Sequence, residues 1–151
     1  MSSNVSADLI WEIVRNQNKY LVKRKSNGSP QFSRDPLNLT NLHSRKYAGF
    51  VNDKAIGVDG SGKRGVTIVS KNSKNLNKPS SSYTSTVIGD AKSNRKAYKA
   101  VAGLAAKKGY RGDLREAAVQ RVSAVRRSQL PEKPDPERKL RGKKAQQAQS
   151  A

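Results

Sequence analysis

The pattern closest to a known chemical motif is the glycine-rich run from Gly60 to Gly65. It satisfies G-x-G-x-x-G, and Gly57 to Lys63 satisfies the first seven positions of a phosphate-binding loop. Both motifs need a helix directly after the glycines, whereas this run continues into the β-branched stretch from Val66 to Lys71. Arg64 also stands where the phosphate-binding loop needs Ser or Thr. We therefore predict a hairpin loop with a basic Lys63–Arg64 tip, and no cofactor.

Other residues suited to catalysis or metal binding are few. The chain has no cysteine, one histidine and 11 Asp and Glu that are scattered along it. These residues form no pattern typical of an acid–base pair or of zinc ligands. His43 lies in a polar stretch and is interpreted as a surface or turn residue. We predict no catalytic residue, no metal site and no small-molecule substrate, so the chain is not predicted to be an enzyme.

The charge indicates a partner. The chain carries 31 Lys and Arg, for a net charge of +20, and residues 1–50, 51–100 and 101–151 carry +5, +7 and +8. Such a charge repels itself unless a polyanion neutralises it and releases counterions. The sequence therefore predicts a nucleic acid as the partner.

A membrane is not predicted as a partner. The run MSSNVSADLIWEIV lacks the basic start and long apolar stretch of a signal peptide, and the apolar run from Val101 to Ala106 is too short to span a bilayer. We expect an intracellular, soluble protein.

The first part of the chain predicts a helix and a strand. Leu9, Ile10, Ile13 and Val14 recur at helical spacing after Ser6, which indicates a helix over residues 7–16. Residues 20–24 predict a strand, and a turn follows at 26–30. Residues 31–47 lack periodicity and predict an irregular segment that lies on the domain. Trp11 is a candidate core anchor, with base stacking as the alternative.

The middle of the chain predicts a small sheet. Residues 50–58 and 66–71 are strand candidates on either side of the glycine-rich hairpin. Residues 83–88 predict either a third strand or a connector, after a polar loop over 71–82.

Two basic amphipathic helices are predicted next. The first covers residues 91–108, with Asp90 as N-cap and Gly109 as its stop. Gly103 lies in its cationic stripe, where it either admits a phosphate backbone or is a tolerated surface glycine. The second covers residues 113–129, with Asp113 as N-cap.

The second of these helices has an apolar stripe with one exception. The stripe consists of Leu114, Ala117, Ala118, Val122, Ala124 and Val125. On a helical wheel with 100° per residue and Leu114 at 0°, Arg121 falls at about 340°, inside this stripe. The other arginines of the helix, Arg115, Arg126 and Arg127, fall outside it. The Arg121 guanidinium must therefore reach either a phosphate, which we favour, or an internal partner.

These elements predict an α+β fold. We expect a small mixed domain over residues 1–130, with a short N-terminal helix, an antiparallel sheet with a basic hairpin and two C-terminal helices. Residues 131–151 contain prolines and alternating charges, and predict an extended basic and polar tail that orders on a partner.

Three segments resemble the eukaryotic cytosolic large-subunit ribosomal protein family numbered twenty-eight. They are Trp11–Arg24, Asn38–Gly57 and Tyr110–Gln129, and the resemblance covers roughly residues 4–130. It implies a structural constituent of the 60S subunit that binds large-subunit rRNA and neighbouring ribosomal proteins and is not a homo-oligomer. It also implies location on the cytoplasmic ribosome, with a transient nucleolar stage. The loop at 60–65 and the tail depart from the family.

Two other nucleic-acid functions remain as alternatives. A ribosome-assembly factor family shares a version of the first segment, but carries cysteines there that this chain lacks. A chromatin-type protein could use the two C-terminal helices as a helix-turn-helix, although that arrangement favours one basic recognition helix over distributed cations.

The predicted RNA contacts are the basic residues of strands, loops, helices and tail, with one tyrosine. They are Lys23, Arg24, Lys25, Arg34, Arg45, Lys46, Lys63, Arg64, Lys71, Lys74, Lys78, Arg95, Lys96, Lys99, Lys107, Lys108, Tyr110, Arg111, Arg115, Arg121, Arg126, Arg127, Arg138, Lys139, Arg141, Lys143 and Lys144.

Overall fold

The fold is known from a computed structural model, which describes residues 5–62, 64–75, 78–136, 141–143 and 147. These ranges contain the helices α1 (Ala7–Val14), α2 (Asn94–Ala106) and α3 (Arg115–Ser128), and the strands β1 (Leu21–Lys23), β2 (Gln31–Ser33), β3 (Ile56–Ser61), β4 (Gly65–Lys71) and β5 (Tyr83–Ile88). The predicted α+β class is confirmed. Within the same ranges, no helix has the length and apolar character that crossing a bilayer requires.

Strands β3, β4 and β5 form an antiparallel meander. Val58 pairs with Ile68, and Val66 pairs with Ile88, so their side chains share one face of the sheet. The strand predicted at 66–71 is confirmed, and of the two alternatives for residues 83–88 the strand is the one that forms. The strand predicted over 50–58 is wrong for residues 50–55, which contain turns and bends. The backbone N–H groups of Val51 and Asn52 donate to the Ala48 carbonyl at 3.2 and 3.1 Å, and such local bonds are incompatible with a strand.

Helices α2 and α3 cover that face of the sheet and build the main core. Ile56, Val66, Val101 and Val122 are fully buried in it. Both helices contribute buried alanines, whose short side chains let the backbones pack closely. Ala124, predicted in the apolar stripe, is exposed, and Arg126, predicted outside it, is buried.

The ends of these helices differ from the predicted caps. Asp113 is not an N-cap, because Gly112–Leu114 form a 3₁₀ turn before α3. Asp90 is not an N-cap either, because α2 begins at Asn94. Gly109 does not stop α2, because the helix already ends at Ala106, where Lys107 is extended. Gly109, with φ of 62°, ends the 3₁₀ turn Lys107–Gly109 instead.

A second cluster holds α1 against the middle of the chain. Trp11 is buried with Ala48 and Val51, which confirms it as a core anchor. His43, predicted as a surface or turn residue, is partly exposed. Its ring lies 4.9 Å from that of Trp11, and its Nε2 donates to the Arg15 carbonyl at 2.7 Å.

The segment predicted as irregular contains a short strand. β2 pairs with β1, and Phe32 forms an additional bridge with Leu42. The rest of the segment lies on the domain as predicted. The buried Asp35 accepts from the backbone N–H groups of Leu37 and Phe50, both at 3.0 Å.

Residues 131–136 have no regular secondary structure. The boundary between the domain and the tail at residue 130 stays a prediction.

Candidate nucleic-acid interface

The residues predicted to bind RNA separate into two groups. Some hold the fold together through internal hydrogen bonds, and others are exposed.

Arg111 joins three parts of the chain. Its Nη1 donates to the Lys54 carbonyl at 2.9 Å, and its Nη2 donates to the Lys46 carbonyl at 3.0 Å. Asp113 accepts from Nε and Nη2, both at 2.8 Å. This pair raises the pKa of Arg111 and lowers the pKa of Asp113. Asp113 is therefore used to orient Arg111 and not to cap α3.

Tyr110 and Lys71 tie β4 to the same loop. The Tyr110 hydroxyl donates to the Lys71 carbonyl at 2.6 Å and accepts from the Ala55 N–H at 3.2 Å. The Lys71 ammonium donates to the Asn52 carbonyl at 2.8 Å. Burial raises the pKa of Tyr110 and lowers the pKa of Lys71. Both residues have structural roles that their residue types did not indicate.

We expect Tyr110→Phe to lower the free energy of unfolding by about 1–2 kcal/mol, because the Ala55 N–H and the Lys71 carbonyl lose a partner. RNA affinity should be nearly unchanged, since the ring remains. Tyr83, which is 51% exposed, provides the control. Urea denaturation of Tyr110→Phe and Tyr83→Phe measures the difference, and equal stability of the two variants would contradict the structural role.

Arg126 is 8% exposed and reaches the connection between β5 and α2. Its Nη1 donates to the Lys92 carbonyl at 2.8 Å and to the Asn94 Oδ1 at 3.0 Å, and its Nη2 donates to the Gly89 carbonyl at 3.2 Å. The helical wheel placed this residue outside the apolar stripe. It is internal because the β5–α2 connection folds over it.

Arg121 is partly exposed and makes one long internal contact. Its Nε donates to the Val58 carbonyl at 3.5 Å, and this is the one hydrogen bond of its guanidinium within the described ranges. The favoured hypothesis, that it reaches a phosphate, stays a prediction. Arg45 is more fully engaged, because its Nε donates to Asp8 at 2.8 Å and its Nη1 donates to Asn52.

The other predicted contacts are exposed where the structure describes them. They are Lys23, Arg24, Lys25, Arg34, Lys46, Arg64, Lys74, Lys78, Arg95, Lys96, Lys99, Lys107, Arg115, Arg127, Arg141 and Lys143. Lys63, Arg138, Lys139 and Lys144, and the side chain of Lys108, lie outside the described part. Arg64 lies in the β3–β4 turn, with its Nε 4.0 Å from Asp90.

An exposed groove lies beside α2, and it is here called the α2 groove. Its volume is about 630 Å³. It is lined by Lys54, Ser70, Lys99, Ala100, Gly103, Leu104, Lys107 and Tyr110.

Three lysines surround an apolar floor in the α2 groove. The Lys54 ammonium lies 5.9 Å from the centre of the Tyr110 ring. Gly103 is exposed, and a Cβ there would meet no atom of the described residues within 4 Å. The groove can take a phosphate on its lysines and a sugar or base on its floor. Lys54 was missed from sequence, because its approach to α2 depends on the Arg111 and Tyr110 contacts.

No group of three or more metal-binding side chains occurs within the described residues. The geometry thus offers a cationic binding surface. A comparison with known families decides what kind of protein carries it: residues 9–128 match the model of the Ribosomal L28e protein family. The chain belongs to this family. The resemblance in the sequence is thereby confirmed.

Relatives of this L28e protein extend over most of its length. Large ribosomal subunit protein eL28 of Schizosaccharomyces pombe is 44% identical over 131 residues, which cover 86% of this chain and 97% of that protein. The eL28 protein of Caenorhabditis elegans is 29% identical over 83% of this chain and 92% of its own length. The Trypanosoma cruzi eL28 protein is 40% identical over 55% of this chain and 54% of its own length.

Proposed function

We propose that this L28e protein is a structural constituent of the large subunit of the cytosolic eukaryotic ribosome. It binds and stabilises large-subunit rRNA through distributed contacts of Lys and Arg with phosphates. Neighbouring large-subunit proteins are its other partners, and it acts as a single copy. Its location is the cytoplasmic ribosome, with a transient nucleolar stage during assembly.

The observation that carries this proposal is that some cationic side chains are hydrogen-bonded inside the fold and others are not. Arg111, Lys71 and Arg126 are occupied by internal oxygens, whereas the lysines of the α2 groove have no such acceptor among the described residues. Cations that the fold does not use are available to phosphates, and several faces of the domain present them. The family of the chain supports rRNA as the polyanion and a structural rather than a catalytic role.

The chromatin-type alternative is less well supported. A recognition helix needs its basic residues together on one exposed face. On α3, Arg115 and Arg127 lie near opposite ends of the helix. The exposed side chains between them include Glu116 and Gln120, and the Gln120 amide donates a hydrogen bond to the Glu116 carboxylate at 3.3 Å. This face is not suited to the groove of a DNA duplex.

Sedimentation tests the proposed location. A tagged copy expressed in eukaryotic cells should co-sediment with large subunits through sucrose, and the association should survive moderate salt. A protein that sediments only with assembly intermediates would support the assembly-factor alternative instead. Recovery with chromatin would contradict the proposal.

We expect affinity for large-subunit rRNA fragments to fall linearly on a plot of log K against log salt. The slope should be about −0.7 to −0.9 per phosphate contacted, because each contact releases condensed counterions. Filter binding over a range of KCl concentrations measures it. An affinity that does not depend on salt would contradict the phosphate contacts.

A further inference from the structure

A second cavity lies where the β5–α2 connection meets the end of α3, here called the α2 N-terminal cavity. Its volume is about 580 Å³. Among the described residues, its lining includes the cationic side chains of Arg64, Lys92, Arg126 and Arg127 and one carboxylate, that of Asp90. The cavity is therefore strongly positive. It is separate from the α2 groove, which shares no lining residue with it.

The first turn of α2 contributes backbone donors to this cavity. Ser93 holds the N-cap position, but its side chain makes no capping hydrogen bond. The first backbone bond of the helix runs from Ala97 N–H to the Ser93 carbonyl, so the preceding N–H groups lack a helical acceptor. Ser93 and Asn94 both line the cavity. Such amides, together with the helix dipole, favour an anion.

Arg126 supplies an independent indication of an anion. Its side chain is more than nine-tenths buried, and the three hydrogen bonds of its guanidinium all go to neutral oxygens. Its Nε is buried without any acceptor. A buried cation needs compensation, and within the described part of the chain no carboxylate contacts it. The nearby Asp90 is 4.0 Å from Arg64, with both side chains more than half exposed.

The same hydrogen bonds prepare the cavity for its ligand. Arg126 holds the carbonyls of Gly89 and Lys92 at its own guanidinium, and this fixes the connection that leads into α2. The amides at the start of α2 are thus held in place before an anion arrives. A preorganised set of donors binds without the cost of ordering a loop.

We propose that the α2 N-terminal cavity binds one phosphodiester group of the rRNA backbone. The phosphate oxygens accept from the first-turn amides of α2 and from Lys92 and Arg127, and their charge compensates Arg126 behind them. The proposal rests on the function proposed above and assigns one contact within it. Lys92 is a contact that the sequence did not single out.

The test uses the full chain labelled with ¹⁵N. Inorganic phosphate is titrated at constant ionic strength, and a short single-stranded RNA is titrated separately. Both should shift the amides of Asn94, Arg95 and Lys96 and the Nε–H signal of Arg126, saturably and more than amides elsewhere. Shifts spread evenly over the chain would overturn the proposal. Shifts with phosphate but not with RNA would identify a free-anion site and overturn the assignment to RNA.

Paired variants separate this site from general charge. Lys92→Gln with Arg127→Gln should weaken phosphate and RNA binding at the α2 amides on the order of tenfold. Arg15→Gln with Lys19→Gln removes the same charge from exposed positions near α1, and this pair should change phosphate and RNA binding at the α2 amides little. Equal weakening by both pairs would overturn the site. If the protein binds RNA but the α2 amide signals do not shift, the phosphate site in the α2 N-terminal cavity is contradicted and the proposed function is not. If the protein binds no RNA at all, the proposed function is contradicted as well.

Discussion

Arg126→Met should lower the free energy of unfolding by about 2–4 kcal/mol. Methionine keeps the apolar stem, so the destabilisation comes from the carbonyls of Gly89 and Lys92 and the Asn94 Oδ1, which remain in place without a donor. A hydrogen bond from a charged donor contributes roughly 1.5–3 kcal/mol, and the three contributions are not additive. Urea denaturation followed by circular dichroism measures the change.

Arg121→Met is the matched control on the same helix. It removes one hydrogen bond of 3.5 Å to the Val58 carbonyl, so its stability should fall by less than about 1 kcal/mol. If Arg121 reaches a phosphate, the same variant should weaken RNA binding by on the order of 1 kcal/mol or more. A variant of Arg121 that binds RNA normally and melts much earlier would contradict that hypothesis. Equal destabilisation by the two variants would contradict the structural role of Arg126.

Reversing the charge of two lysines in the α2 groove should produce the largest decrease in RNA affinity. Lys99 lies on α2 before Gly103, Lys107 directly follows the end of α2, and both are exposed. We expect Lys99→Glu with Lys107→Glu to weaken binding of a large-subunit rRNA fragment by on the order of 100-fold, since two charge-assisted hydrogen bonds to phosphate are removed at roughly 1.5 kcal/mol each. The salt slope should become shallower by about 0.7–0.9 for each phosphate that the variant no longer binds.

The control for this variant changes the charge equally at a distance from α2. Arg15→Glu with Lys19→Glu alters exposed residues that neither cavity includes. Thermal denaturation should show that both double variants remain folded, because all four substituted side chains are exposed. If the control weakens RNA binding as strongly as the groove variant, net charge rather than the groove determines affinity.

The sequence alone determined the elements that depend on local pattern. The β-branched run over 66–71 formed a strand, because alternate residues could face a core. The glycine-rich motif was correctly excluded as the start of a helix, since a strand follows it. Gly109 adopts a φ of 62° in the turn after α2, a conformation that glycine takes without strain. The net charge of +20 likewise needs no structure, and it indicated a polyanionic partner.

The short strand β2 depended on tertiary structure. Its three residues have no periodicity of their own, and they are held by pairing with β1 and by the bridge to Leu42. The caps of α2 and α3 also differed from prediction. The Asp113 carboxylate accepts hydrogen bonds from the Arg111 guanidinium and therefore does not cap α3. The guanidinium is held in that position because it also donates to the carbonyls of Lys46 and Lys54.

The tertiary structure alone decided which cations belong to the fold and which are exposed to a partner. Arg111 and Arg115 are four residues apart and of the same type, yet the first reaches carbonyls 57 and 65 residues away and the second is exposed. On α3 the wheel placed Arg121 inside the stripe and Arg126 outside it, and Arg126 is the buried one. The reason is that a guanidinium is buried where the fold brings oxygens to it, and those oxygens come from distant backbone that helical periodicity does not describe.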